Sequence, residues 1–228
     1  MSRNSFDPGN TIALARVAVV DYVRATNALA DDPAALLATA EGTLTKVLSL
    51  APEYAPAHLW LGGVYIHTNR AALGIAEVER ALALDRNTAG AHSLIGIAKY
   101  FIGRAEETET HIKDALRLSP RDTNAYLWLA VAGLAKLLLS SDEEAVALLR
   151  RAVEINRNHA LTHFWLASAL AHLGRYAEAQ AATQAGLALN PTFTISRAYA
   201  GVSSDNPTYL AQRERLYDGM RKAGVPEG

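Results

Sequence analysis

The sequence predicts an all-α solenoid of stacked helix pairs, and three observations carry that expectation. First, a short linker recurs at a nearly fixed interval. Leu50-Ala51-Pro52, Leu118-Ser119-Pro120 and Leu189-Asn190-Pro191 share one local setting, and Leu84-Asp85-Arg86 and Ile155-Asn156-Arg157 fill equivalent places. Successive intervals are 34, 34, 37 and 34 residues, the length of a helix-turn-helix unit. Second, side chains between the linkers follow a helical spacing: Leu61, Val64, Tyr65 and Thr68, then Val78, Ala81, Leu82 and Leu84. Third, small residues hold the same register in every unit. Ala18, Gly62, Gly96, Ala130 and Ala167 share one slot of the first helix. Ala40, Gly74, Thr108, Ala145 and Ala179 share a slot of the second, as do Val47, Ala81, Ala115, Ala152 and Gly186. A bulky side chain there would push paired helices beyond about 8–10 Å; Val47 and Thr108 are the least suited members.

The repeats divide as 11–54, 55–88, 89–122, 123–159 and 160–193. The first is longer, with its extra residues expected in the turn around Asn27 to Pro33. The extra residues of the fourth are expected near Leu139 to Asp142, since loops tolerate insertion. The turns inside the repeats carry Asn69-Arg70, Gly103-Arg104 and Gly174-Arg175, where glycine ends a first helix. Proline suits the exit from the second helix because it cannot continue one. Residues 194–228 read as a partial repeat and a capping helix. Thr194 to Gly201 starts like another first helix and breaks at Ser203-Ser204-Asp205-Asn206. Asp205 or Asn206 then caps a helix over 207–223 with Pro207 in its first turn. Its expected buried face is Tyr209, Leu210, Leu216, Tyr217 and Met220, which would cover the last apolar surface of the array. Residues 1–10, with Phe6-Asp7-Pro8-Gly9-Asn10, read as the tail of a preceding repeat or as disordered, which makes a C-terminal fragment of a longer protein the expectation.

Half the residues are apolar, which excludes a disordered chain and supports a buried core. Twenty-two Lys and Arg against 23 Asp and Glu give a net charge of −1; with no basic run, a nucleic-acid partner is not expected. There is no cysteine, so disulfides and thiolate metal sites are impossible, and a cytoplasmic location is expected. The N-terminus lacks the apolar segment of a signal peptide. No apolar run reaches the roughly 18 residues of a membrane helix; Ala130 to Leu139 comes nearest and contains Lys136. No phosphate loop, His-Glu-x-x-His or G-x-S-x-G is present, so neither an enzyme nor a cofactor is expected.

Residues 11–193 resemble a tetratricopeptide repeat array. Segment 160–193 carries the family pattern most fully, with His163-Phe164-Trp165-Leu166-Ala167, Gly174-Arg175-Tyr176, Ala179 and Pro191. The resemblance implies a right-handed α-α superhelix whose first helices line a concave groove. A narrower likeness is carried by TNRAALGIAEVERALALDRN (68–87) and SDNPTYLAQRERLYDGMRKAGVPEG (204–228). These resemble the C-terminal repeat regions of bacterial class III adenylate/guanylate cyclases and related winged-helix regulators, where repeats follow a separate catalytic or DNA-binding domain. Neither domain is in this chain, and no catalytic residue is carried over.

The family's groove positions map onto Trp60, Leu94, Trp128, Trp165 and Tyr199, and beside them onto Leu59, Ser93, Leu127, Phe164 and Ala198. Further along lie Gly63, Ile97, Val131 and Ser168, then Ile66, Tyr100, Leu134 and Ala171. The Lys and Asn ladder that clamps a terminal carboxylate in the family is absent, so an apolar peptide or an amphipathic helix is the expected partner, supplied by another protein or by the parent chain itself. The expected contact set is Leu59, Trp60, Leu94, Tyr100, Leu127, Trp128, Phe164 and Trp165. The tryptophans suit two roles equally, interface anchors and packing between repeats. A self-association module that dimerises a linked effector domain is the second expectation. His58, His92 and His163 share a slot filled by Tyr126 in the fourth repeat. Helices about 8–10 Å apart cannot bring all three to one ion, so packing is expected and no metal. His67 and His172 stand near the groove's end as candidates for partner contact. Glu106, Glu107 and Glu109, and Asp142, Glu143 and Glu144, fall at expected helix starts, where acids complement the dipole.

Overall fold

The computed structural model describes residues 10–27, 29–200 and 204–228, the side chain of Ala200 excepted. Among them are twelve α-helices and one 3₁₀ turn, and no strand, as the sequence predicts. No described helix is long and apolar enough to cross a membrane. The chain falls into two compact units, Met1–Asn87 and Thr88–Gly228. The preceding-repeat tail expected at 1–10 lies outside the described residues except for Asn10.

The first unit holds two helix pairs: α1 (Thr11–Thr26) with α2 (Pro33–Leu50), and α3 (Ala55–His67) with α4 (Ala71–Leu84). Asn10 caps α1 by accepting the Ala13 N–H at 3.0 Å, and Asp32 caps α2 by accepting the Ala35 N–H at 2.9 Å. Pro33 at the first position of α2 gives up a donor that has no helical partner anyway. Ala15, Ala18, Tyr22, Leu37, Ala40, Leu44 and Val47 close on Ala57, Leu61 and Val64 to form the core. The small-residue register has a direct cause here. A Cβ on Gly62 would lie 2.7 Å from the Gly74 carbonyl oxygen, and one on Gly74 would lie 2.6 Å from that of Gly62, so each glycine admits the other's backbone.

The extra residues of the first repeat do not sit in a loop alone. In the shared register, α1 continues three residues past the end of α3 and α2 starts four residues before α4, so the connection 27–32 is only three residues longer than its counterpart 68–70. Extending a helix adds one backbone hydrogen bond per residue fixed, whereas a loop adds none.

The second unit holds α5 (Ala89–Phe101), the 3₁₀ turn Ala105–Glu107 leading into α6 (Thr108–Leu118), α7 (Ala125–Leu138), α8 (Asp142–Ile155), α9 (Ala160–His172), α10 (Tyr176–Leu189), α11 (Ile195–Ala200) and α12 (Pro207–Lys222). The three extra residues of the fourth repeat lengthen the C-terminal end of α7, and the turn at Leu139–Ser141 stays as short as its counterparts.

One turn geometry recurs in both units. Asn69, Gly103, Ser140 and Gly174 adopt left-handed φ of 58°, 80°, 62° and 71°. The next residue's N–H then donates to the carbonyl five residues back: Arg70 to Tyr65, Arg104 to Lys99, Ser141 to Lys136 and Arg175 to Leu170, all at 2.8–2.9 Å. This is the Schellman closure of a helix end. Gly224 repeats it after α12, with φ of 80° and the Val225 N–H donating to the Met220 carbonyl at 3.0 Å, so three of the five described positions carry glycine and composition alone misses Asn69 and Ser140.

Candidate functional site

The histidine slot explains itself locally. His58 Nε2 lies 2.8 Å from the Pro52 carbonyl and His163 Nε2 lies 2.9 Å from the Arg157 carbonyl. Each ring ties the first turn of a first helix to the linker six residues earlier. His58 also meets Glu77 at 2.6 Å. His92 instead stacks near His111, with centroids 6.5 Å apart. Among the described residues no group of three or more His, Asp or Glu could hold a metal ion.

The expected groove residues divide by exposure. Phe164 is fully enclosed. Its ring stacks on Phe193 at 4.0 Å between centroids and fills the space that Gly186 vacates, since a Cβ there would lie 2.8 Å from the ring. Trp128, Leu94, Tyr100 and Leu59 are also buried. Leu127 and Trp165 in the second unit and Trp60 in the first are half-buried. Trp60 lies against Tyr22, centroids 5.3 Å apart. His67, beside the same tyrosine, donates from Nδ1 to the Gly63 carbonyl at 3.0 Å, with the Tyr22 hydroxyl at 3.3 Å. Burial holds the His67 ring near pKa 4, so it is neutral at physiological pH. His67 is therefore packed within the first unit.

The second unit contains an arrangement that repeat-by-repeat reading missed. Helix α12 packs on α9 and α7, and its start reaches the end of α5. The Ser204 hydroxyl donates to the Phe101 carbonyl at 2.6 Å, and Tyr209 meets Phe101 edge-on with centroids 5.1 Å apart. Arg215 Nε donates to the Leu137 carbonyl at 3.3 Å, and its guanidinium pairs with Asp142. The Ser168 hydroxyl donates to the Leu216 carbonyl and His172 Nε2 to the Arg215 carbonyl, both at 2.9 Å. Thr183 of α10 donates to the Ala223 carbonyl at 3.1 Å. The first-helix contacts fall on Tyr100, Phe101, Leu137, Ser168 and His172, in the C-terminal halves of α5, α7 and α9, with Asp142 of α8 and Thr183 of α10 beside them. Within residues 88–228, that part of the expected groove is occupied by the chain's own helix.

The approach is close because of Gly219. A Cβ there would overlap Ser168 Oγ and lie 2.7 Å from the Ser168 carbonyl oxygen. The expected buried face of α12 holds at Tyr209, Leu216, Tyr217 and Met220. Arg213 joins it unannounced: it is 3 % exposed, with its guanidinium carbon 4.4 Å from the Tyr199 ring centroid and 5.3 Å from that of Tyr217. Aromatic faces stabilise a desolvated cation. A mid-helix glycine and an arginine spaced among tyrosines were the signals available in sequence.

Asp142, Glu144, Glu107 and Glu109 of the acidic helix starts are ion-paired. Asp142, Glu143 and Glu144 form the first turn of α8. Lys136, the one charge in the apolar run, bridges Glu109 at 2.8 Å and Glu144 at 2.6 Å. Those bonds hold the Glu109 carboxyl below its usual range and lift the lysine. Glu107 pairs with Lys99 at 2.8 Å and with Arg104.

Comparison with known proteins agrees with the fold. No curated protein sequence matches. Solved structures do: Pseudomonas aeruginosa pilF at 20% identity, covering 94% of this chain and 95% of that one, TM-score 0.63; a thermophilic TPR protein of Thermus thermophilus at 19%, covering 92% and 99%, TM-score 0.64; and YrrB, a TPR protein with an unusual peptide-binding site, at 23%, covering 79% and 90%, TM-score 0.50. At these identities the likeness is one of fold. One tetratricopeptide repeat family model matches residues 34–97 and 143–202, more than half of the chain, and a second matches 94–160. With helix pairs, small-residue register and turn closures all in place, the chain belongs to the tetratricopeptide repeat family.

Proposed function

We propose that this protein is a non-catalytic interaction scaffold whose first-helix faces bind an apolar peptide or an amphipathic helix. One observation carries this: the C-terminal halves of α5, α7 and α9 already hold an amphipathic helix, α12. A face that seats one such helix has the shape and bonding groups to seat another, which is recognition of a helix in a groove. Leu127 and Trp165 are the half-buried members of the ladder in the same unit, and we assign them the partner contact. Trp60 is assigned the same role in the first unit. Trp128, Leu94, Tyr100, Leu59 and Phe164 support the face from within. The finer setting, a C-terminal module of a cyclase-like or winged-helix regulator in the cytoplasm, rests on segments 68–87 and 204–228 and belongs to this proposal. A panel of fluorescent amphipathic-helix peptides, titrated against the full chain, tests it. The Trp165→Ala chain should bind the best peptide at least tenfold more weakly, about 1.4 kcal/mol, with an unchanged melting temperature. Equal affinity for both chains removes Trp165 from the site.

A self-association module is the second reading, favoured by one feature. Ile12, Val17, Val20 and Val23 of α1 are 40–56 % exposed, and large exposed apolar patches mark interfaces. Light scattering across micromolar concentrations decides it: a strict monomer counts against self-association.

A further inference from the structure

We infer that the face made by α7, the start of α8 and α9 selects partner helices by an Arg-x-x-x-Gly signature, of which Arg215 and Gly219 in α12 are the resident copy. This rests on the proposed groove and names the chemistry of what it takes.

Each part of the signature has its own receptor group. Asp142 receives the arginine. Its Oδ2 pairs with the Arg215 guanidinium, while Oδ1 is buried with no hydrogen-bond partner. A carboxylate enclosed in this way depends on the one cation that reaches it. The Leu137 carbonyl accepts a second bond from the same guanidinium, at Nε. A planar fork can serve a carbonyl and a carboxylate together, whereas a lysine ammonium is a single point donor. The glycine is selected by contact: a Cβ at that position would overlap Ser168 Oγ and lie 2.7 Å from the Ser168 carbonyl oxygen. Only a residue without a side chain lets the helix come near enough for Ser168 and His172 to donate to its carbonyls at 2.9 Å. Those two donors read backbone, so they fix depth and register. Asp142 and the Gly219 contact read sequence.

The expected partner is a segment of another protein that forms an amphipathic helix with arginine four residues before glycine. It would enter by replacing α12, which a short connection keeps at high local concentration.

The probe is a fluorescein-labelled peptide of residues 204–228, titrated into the full-length chain and its Gly219→Leu variant, in which the resident helix no longer fits. The peptide should bind Gly219→Leu at least tenfold more tightly than wild type. Its Arg215→Ala and Arg215→Lys forms should bind that variant about tenfold more weakly than the unaltered peptide. Adding Asp142→Asn to the chain should abolish the difference. Should Gly219→Leu lose a cooperative melt, the wild-type chain serves: excess peptide must then speed amide exchange at Leu216 and Gly219 of the resident helix. If the unaltered and Arg215→Ala peptides bind alike, the signature is wrong and the groove stands. If no peptide binds the folded variant or speeds exchange, the groove as a docking site falls as well. If light scattering shows the wild-type chain dimerising through exchanged α12, a second copy is the occupant and an external partner is refuted.

Discussion

A single imidazole links packing to solution conditions. His67 is held near pKa 4 by burial, while the unfolded chain takes up that proton near 6.5. The folded state therefore keeps its full stability above about pH 6.5 and loses it as pH falls toward 4, at about 1.4 kcal/mol per unit. Urea unfolding followed by circular dichroism should show this at pH 7 and pH 5. The drop between those pH values should shrink by about 2 kcal/mol in His67→Gln, which carries no titrating group there. His159, also lowered to about 4 by burial and by His163, accounts for a further share that this variant keeps. Residue by residue, sequence was a mixed guide. Thr108 looked ill-suited to a small slot, yet its buried hydroxyl donates to the Gly96 carbonyl at 2.9 Å. Phe164 stood on a groove ladder by register, but Gly186 opposite it opens a place in the core. Register assigns a side; it does not report the compensating partner on the neighbouring helix.

At the level of elements, the repeated turn sets how each helix pair folds back. Gly174 has φ of 71° with no atom within 4 Å of a would-be Cβ, so the only penalty on a side chain is backbone strain. Gly174→Ala should lower the stability measured by chemical denaturation by about 1–2 kcal/mol. A smaller or absent effect would mean that the turn relaxes out of the left-handed region. Helices were legible because period, linker and small-residue slots agree, and such agreement across levels is what specifies a fold. The insertions were misplaced for a physical reason. A helix end can grow by single residues without disturbing its buried face; Asp32-Pro33 marks the start of α2, but sequence does not mark where α1 or α7 stops.

At the scale of the whole chain, α12 is the feature that repetition could not announce. Its contacts join residues far apart in sequence, such as Tyr209 with Phe101 and Arg215 with Leu137, and no repeat contains them. Deleting residues 204–228 should bare the α7 and α9 faces. Amide exchange in α9 should quicken at least tenfold, a loss of about 1.4 kcal/mol in local opening energy; unchanged protection would mean that α9 stands without its cover. The small-residue slots, by contrast, were readable from one chain because every copy repeats the same close approach.

For a partner helix that takes the place of α12, as proposed above, the tethered helix also dictates how fast it can arrive. Because Ser168, His172 and the Asp142 carboxylate are engaged by α12, an incoming segment must wait for them to be released. Observed association should therefore climb with concentration and then level off at the departure rate of the resident helix. Under that proposal the chain is its own timer, and loosening Gly219 or Arg215 would raise the ceiling.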